Sequence, residues 1–271
     1  MHEAVIICTR NRPESLERTL RSVQRQHGAD SRSVFVVDAS SAVAATRIQR
    51  ILVGAPRLRY LRYPGTPSAT CQRNYGIEHL PASVEFVHFL DDDVTVHSGY
   101  FTALVRFLNH HQSAAGAGAR IDEPQPSTNA PSASQQFFLH NARARGIVLP
   151  SGHTTSAQQI ALSRPVQTDW LSGCASTYRR VWVEQHRFDD RLIGYAPGED
   201  LDFSYRIGQE APLYVVPDAS LTHHRSPVER LSATAYHRLA LIHRYWFVQK
   251  NIDHPLRYPA FWWATFGQLL A

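Results

Sequence analysis

Lysine is almost missing from this chain: of 28 basic side chains, Lys250 is the only lysine and the rest are arginines. Guanidinium forks suit phosphate and carboxylate oxygens, but a GC-rich coding sequence produces the same bias, so the excess alone assigns no site. Cysteine is scarce too. Cys8, Cys71 and Cys174 are odd in number and far apart, which excludes a C-x-x-C pair and a disulfide framework and suits reduced thiols in a reducing compartment. No apolar run approaches the roughly 18 residues of a membrane span. Glu3 and Arg10 bracket only Ala4–Cys8, too short for a secretory leader. The chain is therefore expected to be cytoplasmic, dissolved or peripheral at the inner face of the cell membrane. Charge of one sign is also lacking: 28 Lys and Arg against 23 Asp and Glu leave +5. That excess is too small and too scattered for a nucleic-acid partner.

What is present is an alternation. The 271 residues are 43% apolar, enough for one α/β domain with a sizeable core, with or without a small appendage. Ala4–Cys8, Ser33–Asp38 and Glu85–Leu90 are short β-branched or apolar runs that read as buried strands, and Leu58–Arg62 as a shorter one. Between them, Pro13 onward, Val43–Val53 and Ser68–Leu80 read as helices, with Asn11 as a cap and Pro13 in the first turn. Such strand–helix units form parallel sheets with right-handed crossovers, and ligands lie beyond the carboxyl ends of the strands. Thr9, Arg10, Asp38 and Asp91 to Asp93 follow those ends. Further on, Asp122–Ser134 is rich in Pro, Ser, Gln and Asn and reads as a mobile loop, and Leu213–Val216 reads as a strand. The segments Ser232–Lys250 and Tyr258–Ala271 read as helices; the second is aromatic and too short to span a bilayer. No internal repeat is found.

Three acidic or histidine groups carry chemistry. Asp91-Asp92-Asp93 closes a buried strand. Carboxylates about 4 Å apart repel by about 4 kcal/mol at an effective dielectric near 20, so the cluster either binds a divalent cation such as Mg²⁺ or Mn²⁺ or splays into water. Gly198-Glu199-Asp200 opens a helix, whose dipole keeps a carboxylate ionised and ready to accept a proton, or simply caps the helix. His223-His224 follows Asp218 after a strand and offers imidazole ligands.

Taken together these features resemble the family 2 glycosyltransferases. The matching motifs are Val5-Ile-Ile-Cys-Thr-Arg-Asn-Arg-Pro13 with Leu16, Leu20, Val23 and Gln26, Val36-Val-Asp38, Arg73-Asn-Tyr-Gly-Ile77, Phe89-Leu-Asp-Asp-Asp-Val94, Ser172-Gly-Cys174, Gly198-Glu-Asp-Leu-Asp202 and His223-His224, spread over about residues 3 to 250. The resemblance implies an α/β GT-A fold: a Rossmann-like, mostly parallel sheet flanked by helices, with a helical C-terminal extension. Residues 1–228 would form the catalytic domain, about 1–120 binding a nucleotide-diphosphate sugar and about 121–228 facing the acceptor, with 229–271 as the extension. It also implies site roles. Asp38 would meet the nucleobase, Thr9 and Arg10 would lie along base and ribose, and Arg73 would sit near the phosphates. Asp93 and His223 would bind Mn²⁺ or Mg²⁺, with His224 as substitute, while Asp91 and Asp92 would meet ribose or metal-bound water. Asp200 would be the catalytic base, with Glu199 orienting the acceptor or the helix start. Trp170, as a sugar platform or as core, and Gly173 would border the acceptor site, and the Asp122–Ser134 loop would close over the donor.

The expected activity is inverting transfer to a carbohydrate, lipid-linked or other hydroxyl acceptor, as in surface-polysaccharide assembly. A sugar nucleotidyltransferase is the alternative, disfavoured because the Thr9-Arg-Asn-Arg-Pro13 turn lacks glycine; a non-catalytic sugar-nucleotide-binding module is another. For residues 255–271 three placements are open: a membrane interface, the chain's own domain, or a homodimer contact.

Overall fold

A computed structural model describes residues 2–123, 131–228 and 230–270. The first half follows the expected alternation: β1 (His2–Thr9), α1 (Pro13–Gln24), β2 (Arg32–Asp38), α2 (Ala42–Leu52), β3 (Leu58–Arg62), α3 (Ala69–Glu78) and β4 (Val84–Asp91). β1 reads as a continuous apolar run because it is covered on both faces. Val5 and Ile7 enter the core beneath α1, α2 and α4 (Tyr100–His110), while Ala4 and Ile6 enter the one beneath α3, α6 (Arg180–His186) and α7 (Glu199–Gly208). On α3, Gly76 is a glycine because a Cβ there would lie 2.8 Å from Ile6 Cγ2. Asn11 does not cap α1. The cap position is Arg12, without a side-chain bond, and Asn11 sits at φ 55° with its Oδ1 accepting the Ser41 N–H at 2.9 Å. Asparagine tolerates that left-handed backbone, and its side chain staples the turn after β1 to the start of α2.

The second half supplies β5 (Val94–Val96), β6 (Gly116–Asp122), α5 (Ala133–Phe137), β7 (Val166–Thr168), β8 (Ala175–Arg179) and β9 (Leu213–His223). The sheet runs β3-β2-β1-β4-β8-β6-β9-β5, with β7 also on β9. β1, β2, β3, β4, β6 and β9 point one way, and β5, β7 and β8 oppose them. Because β2 and β4 flank β1 on opposite sides, the chain order reverses there, and the carboxyl ends of β1 and β4 frame the crevice where such sheets bind ligands.

Two expectations change in this half. β9 does not stop at Val216. It passes Pro217 through a register shift, with Ala119 opposite Val216 and Arg120 opposite Ser220, and continues to His223. The expected loop of 122–134 begins inside β6 and ends inside α5, where Ser132 caps the helix; its centre, 124–130, and with it the lid, lies outside the described residues. The extension forms α8 (Ala233–Asn251) and α9 (Arg257–Leu269). Phe247, Val248, Ile252 and Phe261 make a small core of their own against Val148, Leu201 and Tyr205. All three cysteines are free.

Candidate active site

The acidic turn sits where β4 ends and β5 begins. β5 pairs antiparallel with the end of β9, and Val94 opposes His223. The continuation of β9 past Pro217 therefore delivers the imidazole to the acidic turn. Asp91, Asp93 and His223 each offer a ligand atom, all within 4.8 Å of one another. His223 Nε2 lies 3.1 Å from Asp93 and 4.0 Å from Asp91. Burial works against a charged ring, but the Asp93 hydrogen bond and the Asp91 charge outweigh it and raise the His223 pKa. Two carboxylates and an imidazole form a donor set for a divalent cation, and the ring proton is what an entering cation would displace. The second Asp93 oxygen accepts the Ser226 N–H at 2.7 Å, which fixes the carboxylate. His224 turns away, its Nε2 2.8 Å from Thr95 Oγ1, and so leaves the cluster.

Asp92 faces the other way. Thr9 Oγ1 donates to it at 2.7 Å, and Arg12 Nη1 lies at 3.1 Å. Burial pushes Asp92 up to about 7, against the Arg12 charge and the Thr9 bond. Asp92 thus ties the end of β1 to the end of β4 across the switch point. Arg12, given no role of its own in the Thr9–Pro13 turn, is a charged neighbour of the cluster. It lies 3.9 Å from Asp93 and is held by the Val228 carbonyl at 2.9 Å. Nothing local in the sequence signals that reach.

Several of the residues expected on the donor side lie around a cleft nearby. This cleft, of about 500 Å³, is lined by Arg10, Asn11, Ser40, Arg62, Tyr63 and Gly65 among others. Asp38 is fully buried next to it. Its carboxylate accepts the Ser40 N–H and the Tyr60 hydroxyl, both at 2.8 Å, and Arg62 at 3.2 Å. In this arrangement Asp38 shapes the cleft by holding Arg62, another side chain without a sequence signal.

Arg73 joins the two acidic motifs. One Nη contacts Glu199 and the other lies 3.2 Å from Asp91. The guanidinium is buried and 5.2 Å from the Phe188 ring centroid. Burial, and then the Asp200 charge, push Glu199 up to about 8 even beside Arg73. Gly198, at φ 85°, turns the chain into α7. Asp200, in the first turn of that helix, accepts the Leu201 N–H at 2.8 Å and the Gly173 N–H at 3.0 Å. A Cβ on Gly173 would lie 2.7 Å from Arg73. Thr9, Arg73, Asp91, Asp92, Asp93, Gly173, Glu199, Asp200 and His223 are thereby linked in one contact network. Trp170 is half-buried, and its indole N–H is taken by the Thr155 carbonyl at 3.0 Å.

Known proteins resemble the chain in sequence and in fold. The chain is 24% identical over 241 residues to the hyaluronan synthase of Pasteurella multocida, a match covering 83% of the chain and 24% of that protein. It is 32% identical over 109 residues to the GalNAc(5)-diNAcBac-PP-undecaprenol beta-1,3-glucosyltransferase of Campylobacter jejuni, covering 39% of the chain and 34% of that protein. The chain thus spans about a quarter to a third of the length of these relatives. Among solved structures, GalNAc-T7 with UDP, GalNAc and Mn²⁺ superimposes with a TM-score of 0.70 at 17% identity, over 92% of this chain and 48% of that one. TarS 1-349 of S. aureus with UDP-GlcNAc gives 0.63 at 16% identity, over 100% and 73%. These likenesses establish the GT-A fold. The family model described as glycosyl transferase family 2 matches residues 4–186, well over half of the sequence, and the chain belongs to that family.

Proposed function

We propose that the chain is an inverting glycosyltransferase that moves a sugar from a nucleoside-diphosphate sugar to an acceptor hydroxyl, with Mn²⁺ or Mg²⁺ held by Asp91, Asp93 and His223. The observation that carries this reading is the bridge from the metal-competent cluster through Arg73 to the α7 N-terminus, where Asp200 stands. About 1–120 would hold the donor and about 121–228 the acceptor, with the boundary of the extension beside residue 229. When bound, the divalent ion would neutralise diphosphate charge as the leaving group departs. Arg73 and Arg12 add fixed positive charge near the same acidic turn. Asp200 is held in place by its two backbone N–H bonds and by the helix start. It takes the proton of the acceptor hydroxyl while that oxygen bonds to the anomeric carbon. The bond from that carbon to the diphosphate oxygen breaks on the opposite face, so a single displacement inverts the centre.

UDP is the first nucleotide to test, because the structural neighbours GalNAc-T7 and TarS were solved with UDP and with UDP-GlcNAc. A lipid-linked acceptor is favoured by the PP-undecaprenol in the name of the Campylobacter relative. Surface-glycoconjugate assembly at the inner face of the membrane is the setting this reading gives the enzyme. Among the described residues no helix is long and apolar enough to cross a membrane. The test is Asp200→Asn: transfer should be abolished, while calorimetric affinity for UDP with Mn²⁺ stays within a few-fold. Unchanged turnover would remove Asp200 from the reaction. Pyrophosphate released from a nucleoside triphosphate and a sugar phosphate would replace glycosyl transfer by nucleotidyl transfer.

A further inference from the structure

We propose that the outward face of α9, continued by an exposed stripe on α8, seats the protein on an anionic lipid bilayer. The proposal rests on the glycosyl-transfer reading only in the acceptor it brings within reach, a lipid-linked one.

A surface helix of a water-soluble domain is apolar on one side only. α9 is apolar on both. Ala260, Phe261, Ala264 and Gly267 face inward and are buried, and a Cβ on Gly267 would collide with the Phe138 ring. The opposite side carries Trp262, Trp263, Phe266, Leu269 and Leu270, which are 40–81% exposed and include no charged residue. The patch does not end with the helix. Trp263 donates its indole N–H to the Phe137 carbonyl at 2.8 Å and packs edge-on against the exposed Phe137 ring. On the other flank the Trp262 ring lies 6.4 Å from Tyr245 of α8, where Leu241 and Ile242 are also exposed. Contiguous exposed aromatic and aliphatic surface of this kind marks an interaction site.

Charge and composition select the occupant. Residues 230–270 contain Arg230, Arg238, Arg244, Lys250 and Arg257 against the single acid Asp253. Arg244 and Lys250 have inward partners, Arg244 with Thr265 and Lys250 with Asp189 and Asp202. Arg238 is exposed and lies three and four positions before Leu241 and Ile242 on the same helix. Arg230 and Arg257 bond the Ser226 and Ile252 carbonyls, so it is exposed Arg238 beside Leu241 and Ile242, within a segment of net positive charge, that matches an anionic headgroup region over hydrocarbon. A second copy of the chain would instead bring like charges together.

The stripe also leads to the reaction site. At the start of α8, Tyr236 meets Tyr195 edge-on at 6.0 Å, and Tyr195 lies three residues before Gly198. Ile193, Val228 and Leu231 are exposed nearby in sequence, and the Val228 carbonyl holds Arg12 beside the acidic turn. A membrane lying along α8 would place its headgroups by the entrance to Asp200.

The experiment is co-sedimentation of the full chain with vesicles of phosphatidylcholine alone or mixed equally with phosphatidylglycerol, with tryptophan emission as a second signal. Binding to the mixed vesicles and a blue shift are expected. Trp262→Gln with Phe266→Gln should reduce the partition coefficient by about tenfold or more, and so, independently, should Leu269→Gln with Leu270→Gln. Arg238→Gln should weaken binding only where phosphatidylglycerol is present. UDP affinity with Mn²⁺ and the melting temperature should match the parent in every variant. Absence of vesicle binding by the parent, or binding by both double variants as strong as the parent's, would overturn the proposal. So would a dimer in analytical ultracentrifugation that the same variants abolish, because the occupant would then be a second copy. If the parent binds vesicles but not UDP, the surface stands and the glycosyl-transfer reading falls.

Discussion

Gly173 is a glycine because Arg73 occupies the space a side chain would need, and because its N–H points at Asp200. Gly173→Ala should push the guanidinium off Glu199 and Asp91 while leaving the backbone sound, since the displaced atoms are the far end of a flexible side chain. The expected result is a fall in kcat/KM of about tenfold to a hundredfold, corresponding to about 1.4–2.8 kcal/mol, with little change in melting temperature. Steady-state kinetics and a thermal melt separate the two. Arg73→Met is the opposite case. It leaves Glu199 and Asp91 with no cation between them, and stranding one side of a buried pair costs about 3–5 kcal/mol. Urea unfolding should show that loss. Mn²⁺ should restore part of it by neutralising Asp91, which an Arg73 acting only through packing on Phe188 would not predict.

At the scale of elements, α7 is braced by the extension. Lys250, the only lysine, places its Nζ 2.7 Å from Asp189 and 2.9 Å from Asp202, and Asp202 is buried on α7. Asn251 and Arg206 complete the set at 2.8 and 3.1 Å. Asp189 is held well below the usual carboxylate range by the Arg191 hydrogen bond, against its burial, and by Lys250. Lys250→Met should destabilise the fold by about 2–4 kcal/mol and loosen α8 from α7. Hydrogen exchange should show faster opening in 199–208 and 233–251 than in β1 or β4.

The elements that were legible are those whose residues declare their surroundings. The stretches Ala4–Cys8 of β1, Val34–Val37 of β2 and, apart from His88, Phe86–Leu90 of β4 are apolar because both faces are covered, and their ends exposed Thr9, Asp38 and Asp91 to inspection. β9 was read short because Pro217 normally ends a strand; the register shift opposite Ala119 and Arg120 absorbs it, and no local signal announces that. Its consequence, His223 beside Asp93, was reached through family resemblance rather than through the strand. Arg12 and Arg62 were missed for a related reason. Their partners lie 80 and 24 residues away, and only the closed sheet brings them together.

For the molecule as a whole, acid stability turns on a cluster remote from the acidic turn. Arg32 Nε donates to Glu3 at 2.8 Å, His88 Nε2 lies 3.3 Å from the same Glu3 oxygen, and the Arg32 guanidinium stacks 3.7 Å from the Phe101 ring centroid. These residues lock β1, β2 and β4 together near their amino ends. Burial favours a neutral Glu3, but His88 and Arg32 outweigh it and lower its pKa from 4.5 to about 2. Burial lowers His88 below its ordinary value despite Glu3, so Arg32 is the permanent counter-ion. A carboxylate with a depressed folded-state pKa contributes its full stability above the unfolded value and loses it as pH falls through the folded one. The Glu3 contribution is therefore present above pH 4.5 and lost towards about pH 2. Glu3→Gln removes the charge at every pH and leaves Arg32 buried without an anion, so the variant should be less stable at neutral pH by about 3 kcal/mol. At about pH 2 a protonated Glu3 and a glutamine carry the same charge, and the two unfolding curves should converge there. Urea midpoints measured across this range decide the matter: a gap that stays constant from neutral pH into acid would mean that Glu3 acts through its shape and not through its charge.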